Sequence, residues 1–147
     1  MKKILITGGS GFIGTNLIEH LLKKTDAELL TFDINEPKID SHNRFWKRVD
    51  IREYEELREK IVEYKPDIVI HLAARTDLRG LTLKDYDANM TGVSNLLKAI
   101  DEAGTVQKAV FASSMYVCEP GYMPKDFEDY APHTLYGESK VETERRI

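Results

Sequence analysis

One short run near the N-terminus, Thr7-Gly8-Gly9-Ser10-Gly11-Phe12-Ile13-Gly14, constrains this chain more than any other stretch. It follows an apolar, β-branched run, Lys3–Thr7, and leads into an amphipathic stretch, Phe12–Lys24, so it reads as a strand-to-helix turn. Its glycines satisfy both Gly8-x-x-Gly11-x-x-Gly14 and Gly9-x-Gly11-x-x-Gly14. A sharp turn, an anion close to the backbone and a helix packed tightly on a strand all exclude side chains. The helix start then offers unpaired N–H groups, expected at Phe12 and Ile13, to the pyrophosphate of a dinucleotide.

A glycine triplet also serves ordinary strand–helix turns, so its meaning depends on context. The second strand, Glu28–Asp33, ends in an acid placed 33 − 14 = 19 residues after the last glycine, close to the ~20 of a dinucleotide site. A carboxylate there accepts hydrogen bonds from the adenosine ribose and repels a 2′-phosphate. Neither Ile34 nor Asn35 supplies the arginine that a 2′-phosphate favours, although Lys38 is not far off. The expected cofactor is NAD, with NADP less favoured.

Beyond this unit, apolar runs alternate with longer amphipathic stretches, the pattern of βαβ units on a parallel sheet. Phe45–Val49 reads as a third strand, Asp67–Leu72 as a fully buried fourth, with Ile68, Val69 and Ile70 in succession, and Lys108–Ser113 as a fifth. Tyr54–Tyr64 is a charged surface helix, and Leu83–Ala103 is the longest helix, with Gly104 where a C-terminal cap belongs. Glu119–His133 reads as a loop and Leu135–Ile147 as a helix. In the first helix Phe12, Ile13, Leu17, Leu21 and Leu22 are expected on the buried side. The expected fold is α/β, a doubly wound parallel sheet with helices on both faces, forming a single domain over residues 1–147. The chain ends inside a helix without a stop signal, where such a sheet would continue with another strand. The expectation is therefore a fragment, truncated before the last strands and the substrate-binding part.

Composition excludes several alternatives. At 147 residues the chain suits one domain, and 41% hydrophobic with 31% charged residues is ordinary for a globular protein. A net charge of −4 does not favour nucleic acid or an anionic membrane. The apolar run Ile4-Leu5-Ile6 stops at Thr7, far short of a signal peptide, and no stretch approaches transmembrane length. Cys118 is the single cysteine and allows no internal disulfide, which fits a cytoplasmic location. His20, His42, His71 and His133 show no metal-ligand spacing, so no metal is expected.

Tyr136 and Lys140 stand four residues apart on the last helix and share a face. An ammonium close to a phenol stabilises the phenolate, making a base able to take a proton from a substrate alcohol as hydride leaves its carbon. The fifth strand ends in Ser113-Ser114, at the carboxyl edge where doubly wound sheets bind ligands, and a hydroxyl there can hold a substrate oxygen.

Together these residues resemble the extended short-chain dehydrogenase/reductases, specifically the NAD-dependent epimerase/dehydratase family, which acts largely on nucleotide sugars. The resemblance runs from the first strand to the last residue and implies a Rossmann-type fold. It matches the glycine run, the ribose acid Asp33, the adenine-contacting pair Asp50-Ile51, and His71-Leu72-Ala73-Ala74 beneath the cofactor. It also matches Asn89 of the long helix, Ser113-Ser114 with Val117, and Tyr136-Gly137-Glu138-Ser139-Lys140. What it implies is a cofactor site of Gly8, Gly11, Phe12, Ile13, Gly14, Asp33, Asp50, Ile51, Leu72, Ala73, Ala74, Asn89, Tyr136 and Lys140. The implied catalytic residues are Ser114, Tyr136 and Lys140; Ser114 is chosen over Ser113 because the family's hydroxyl sits three before the valine, here Val117.

The implied activity is that of an NAD-dependent nucleotide-sugar epimerase or reductase, with the long helix and the tyrosine helix able to form a homodimer. The alternative is a non-catalytic dinucleotide-binding regulator or sensor on the same fold. Two departures stand out. Cys118 and Glu119 replace the usual tyrosine and glycine after the valine, and Met115-Tyr116 replaces the Asp-Glu pair of the family's 4,6-dehydratases, which argues against dehydration.

Overall fold

The glycine turn follows the central strand of a parallel sheet, in a computed structural model that describes all residues, Met1–Ile147. The strands are β1 (Lys3–Thr7), β2 (Glu28–Asp33), β3 (Trp46–Arg48), β4 (Ile68–His71) and β5 (Lys108–Phe111), in the order β3-β2-β1-β4-β5. Every pairing is parallel. The helices are α1 (Phe12–Lys24), α2 (Tyr54–Tyr64), α3 (Asp87–Ala103) and α4 (Leu135–Glu144). This is a Rossmann-type α/β fold. Strand order reverses between β1 and β4, which opens a crevice at their carboxyl ends.

Alternation along β1 divides the core between the two faces of the sheet. Leu5 points into a cluster with Phe32, Val49, Leu57, Ile61, Val69 and Leu96, beneath α2 and α3. Ile4 and Ile6 point the other way, onto Ile18 of α1 and Leu29. α2 and α3 also pack on each other, and α4 packs on α3.

Several sequence expectations change. In α1 the buried residues are Gly14 and Ile18, whereas Phe12 and Ile13 are 79% and 60% exposed and Leu22 is exposed too. The contact face is fixed by Gly14 against Gly8, and residues one and two positions earlier point about 100° and 200° away from it. β4 is not fully buried: Val69 and His71 are, but Ile68 and Ile70 are only half-buried on the face covered by α1 alone. The neighbouring Val110 of the edge strand β5 is exposed there as well.

The long helix is also divided. A 3-10 turn, Leu83–Tyr86, carries a capping box between Thr82 and Asp85, and α3 begins only at Asp87. Gly104 does cap α3, with φ +62° and its N–H bonded to the Ile100 carbonyl. β5 ends at Phe111, and Ser114 caps a short 3-10 turn, Met115–Val117. No helix is long and apolar enough to cross a membrane.

Candidate cofactor and active site

Three glycines of the turn differ in what they accommodate. Gly8 has φ +76°, and a Cβ there would lie 2.6 Å from the Ala73 nitrogen. A Cβ on Gly14 would lie 2.3 Å from the Gly8 carbonyl oxygen. Gly11 is exposed and would meet nothing closer than 3.3 Å. The first two are required by packing within the protein; Gly11 meets the mildest contact of the three and borders a cavity in front of the helix.

α1 starts at that space with no side-chain cap and no acid in its first turn. Its first N–H bonded back into the helix is that of Thr15, to the Gly11 carbonyl at 2.9 Å. The N–H groups of Phe12, Ile13 and Gly14, at the positive helix end, therefore have no anionic partner inside the protein. A pyrophosphate fits this arrangement.

From this turn a cavity of 890 Å³ runs along the carboxyl edge of the sheet, a volume in the range of small-molecule and cofactor sites. Asp33 stands at one end, its Oδ2 accepting from the Ser10 N–H at 3.0 Å and its Oδ1 from the Asn35 N–H at 2.9 Å. Each oxygen keeps further acceptor capacity for a ribose hydroxyl. Asp50, Ile51 and Arg52 line the same end. Arg52 grips the Asp50 carboxylate through Nε and Nη2, the latter at 2.6 Å, and this pairing holds the Asp50 carboxyl below its usual range.

The floor is His71-Leu72-Ala73-Ala74, continued by Arg75 and Thr76. His71 is buried, with Thr7 Oγ1 2.6 Å from its Nδ1. Burial, with the Lys140 charge adding to it, pushes the His71 imidazole down to about 4, so the ring is neutral near pH 7.

At the far end Tyr136, Lys140, Ala112 and Ser113 close the wall. Thr134 caps α4, accepting the Gly137 N–H at 2.9 Å, and so fixes where that helix begins. Lys140 is buried and donates from Nζ to the Ala112 carbonyl at 2.7 Å. Burial lowers its ammonium from the ordinary range, partly opposed by Glu144 one turn along.

Two residues expected from the resemblance lie outside the cavity wall. Ser114 Oγ accepts the Tyr116 N–H at 3.2 Å, which leaves its own proton free to donate, while the adjacent Ser113 lines the cavity and donates to Glu144. Asn89 is 1% exposed and commits its amide to the protein. It accepts from the Arg75 N–H at 2.8 Å and donates to the Arg75 carbonyl and to Ser139 Oγ.

Two residues of the wall, Arg52 and Arg75, and one behind it, Glu144, which accepts from Ser113, were not singled out from sequence. Arg52 announces itself only by standing two residues after Asp50, and Glu144 by standing four after Lys140. Arg75 carries no local signal; its guanidinium pairs with Asp77 and lies 5.2 Å from the Tyr86 ring centre.

Residues 4–147 match the family described as "NAD dependent epimerase/dehydratase family". The chain belongs to that family. A UDP-glucose 4-epimerase of Neisseria meningitidis serogroup C is 34% identical over 160 residues, covering 99% of this chain and 47% of the relative. The UDP-glucose 4-epimerase of Thermus thermophilus, solved in complex with NAD, superposes with a TM-score of 0.80 at 29% identity, over 98% of this chain and 49% of that one. A monomeric L-threonine 3-dehydrogenase from a metagenome superposes with a TM-score of 0.82 at 31% identity, over 97% and 47% respectively. This member of the NAD-dependent epimerase/dehydratase family thus spans about half the length of the relatives it matches. Those relatives differ in their named substrates while sharing this half.

Proposed function

We propose that the chain holds NAD in the 890 Å³ cavity and serves as the cofactor-binding and proton-transfer part of a nucleotide-sugar epimerase or reductase. The observation that carries this reading is that Tyr136 and Lys140 line the same cavity as the glycine turn and Asp33. A sensor that only binds a dinucleotide has no use for that pair.

The α1 N-terminus and the part of the cavity bordered by Gly11 hold the pyrophosphate, and Asp33 accepts from the adenosine ribose. NAD held there would supply the acceptor for a hydride from a substrate carbon. Tyr136 removes the proton from the hydroxyl on that carbon, and the Lys140 ammonium stabilises the phenolate and would hold the nicotinamide ribose. Ser114, with an oxygen lone pair engaged by the Tyr116 N–H, donates a hydrogen bond to the substrate oxygen and keeps its own proton. Methionine and tyrosine at 115 and 116 offer no carboxylate pair for eliminating water, so the reading is epimerase or reductase rather than dehydratase.

NAD titration of the chain, alone and as Gly11→Val, tests the cofactor part: unchanged binding by the variant sinks it. Nucleotide sugars added to the protein expressed with any continuation of its reading frame, while nicotinamide absorbance is followed, test the reaction. Tight NAD binding with no turnover of any sugar would favour the sensor.

A further inference from the structure

The Tyr136 ring is held by two aromatic neighbours. The Tyr86 ring centre lies 6.2 Å from that of Tyr136, tilted at 50°, and the Tyr116 ring centre lies 5.8 Å away, edge to face at 67°. Such contacts orient a ring without touching its hydroxyl.

The two neighbours are secured differently. Tyr86 is 1% exposed and anchored by its own hydroxyl, which donates to the Asp77 carbonyl at 2.8 Å and accepts the Gly80 N–H at 3.1 Å. Tyr116 is braced by its ring, stacked on His133 at 5.6 Å and 13°. Its backbone is pressed against α4: a Cβ on Gly137 would lie 2.2 Å from the Tyr116 carbonyl oxygen. Its N–H donates to Ser114 Oγ. One residue thus contacts both the ring of the proposed base and the hydroxyl proposed to hold the substrate oxygen.

We propose that Tyr86 and Tyr116 form an aromatic bracket that sets the Tyr136 phenol against Lys140, with Tyr116 as the positioning residue that ties this phenol to Ser114. The proposal rests on reading Tyr136 as the general base. It gives Tyr116, which stands in place of an acid of the dehydratases, a role of its own in proton transfer. The ring of Tyr116 does this work, and its hydroxyl is dispensable. Tyr86 is the fixed jaw, held beneath Arg75; Tyr116 is the adjustable one, because its brace, His133, is exposed.

The test uses the 147-residue chain labelled with ¹³Cζ-tyrosine, with the Tyr136 signal assigned by Tyr136→Phe and followed against pH. In Tyr116→Ala the phenol wanders from the ammonium, so its titration midpoint rises by about half a pH unit or more. Tyr116→Phe restores the original midpoint, and His133→Ala gives a smaller rise in the same direction. NAD affinity stays within about twofold in all three, since none of these side chains lines the cavity. An unchanged midpoint in Tyr116→Ala with NAD affinity intact overturns the bracket. If that variant does not fold, Tyr116→Leu and His133→Ala make the same comparison, and no movement in either overturns it equally. The reading beneath is separately exposed: a wild-type midpoint indifferent to Lys140→Met overturns Tyr136 as a lysine-assisted base, and the bracket's catalytic meaning with it.

Discussion

Asn89 and Ser139, fifty positions apart in the chain, are joined by a buried 2.9 Å hydrogen bond from Nδ2 to Oγ. Ser139 in turn donates to the Tyr136 carbonyl at 2.7 Å, and Thr143 donates to the Asn89 carbonyl at 2.7 Å. Because Asn89 also grips the backbone of Arg75, it ties the cavity floor to the helix carrying Tyr136 and Lys140. Asn89→Ala leaves Arg75 and Ser139 groups without partners, and should lower unfolding stability by about 3 kcal/mol in a urea titration. Paired with Ser139→Ala in a double-mutant cycle, it should show a coupling of about 1 kcal/mol. Strict additivity would mean that the contact transmits nothing.

The glycines of the turn should separate stability from binding. Gly14→Ala drives a methyl into the Gly8 carbonyl and should destabilise the fold, by about 2 kcal/mol or more. Gly11→Ala meets only a 3.3 Å contact and should leave the urea midpoint nearly unchanged while weakening NAD binding. Calorimetric titration beside denaturation distinguishes the two. Equal NAD affinity for Gly11→Ala and the wild type would contradict phosphate approach at that position.

Asp33 should govern the choice between dinucleotides. Both its oxygens are oriented by backbone N–H groups, so its carboxylate stands fixed at one end of the cavity, where the proposed reading puts the adenosine ribose. Asp33→Ser should weaken NAD binding by about tenfold or more, the worth of a charged hydrogen bond to the ribose. The same change should narrow the gap to NADP, because the repulsion of a 2′-phosphate disappears. Parallel titrations with both cofactors give the answer, and an unaltered ratio would remove Asp33 from this role.

Stability should fall in mild acid on account of His71. The folded protein holds this imidazole down to about 4 against 6.5 in the free side chain, so below pH 6.5 the unfolded chain takes up a proton that the folded chain refuses. Its contribution is complete above pH 6.5, declines as pH drops toward 4 and then levels off. The whole amounts to about 3 kcal/mol. Urea unfolding at a series of pH values should show this slope in the wild type and lose it in His71→Gln. An identical slope in both would assign the acid sensitivity to other groups.

The carboxyl edge of β5 offers a choice between neighbours. Ser113 lines the cavity but commits its hydroxyl to a hydrogen bond with Glu144, whereas Ser114 keeps its donor free behind the Tyr116 N–H. In whatever reaction the protein expressed with any continuation of its reading frame performs, Ser114→Ala should lower kcat by about a hundredfold. Ser113→Ala should act mainly through stability. Reversed effects would move the substrate oxygen to Ser113.

The signals that the sequence carries plainly are local ones. Lys3–Thr7, Phe12–Lys24, Glu28–Asp33 and Tyr54–Tyr64 form the elements expected of them, because side-chain periodicity and glycine placement act within a few residues. The 3-10 turn at Leu83–Tyr86 escaped because its residues fit the helical spacing of α3, while Thr82 and Asp85 close a capping box just ahead of it. Phe12 and Ile13 were expected inside because they are apolar, but the Gly14–Gly8 contact turns their faces outward.

By itself, then, the sequence determined a parallel α/β unit with a glycine turn ahead of its first helix, an acid at Asp33, and a phenol and an ammonium one helical turn apart. Tertiary structure alone decided which groups meet. Asn89 reaches Ser139, Tyr116 lies against Tyr136, and Ser113 rather than Ser114 faces the cavity. Contacts of this kind join elements far apart in the chain, and depend on the angle and depth at which helices settle on the sheet. Residue spacing sets the period of an element, but packing sets its rotation, and rotation places these side chains.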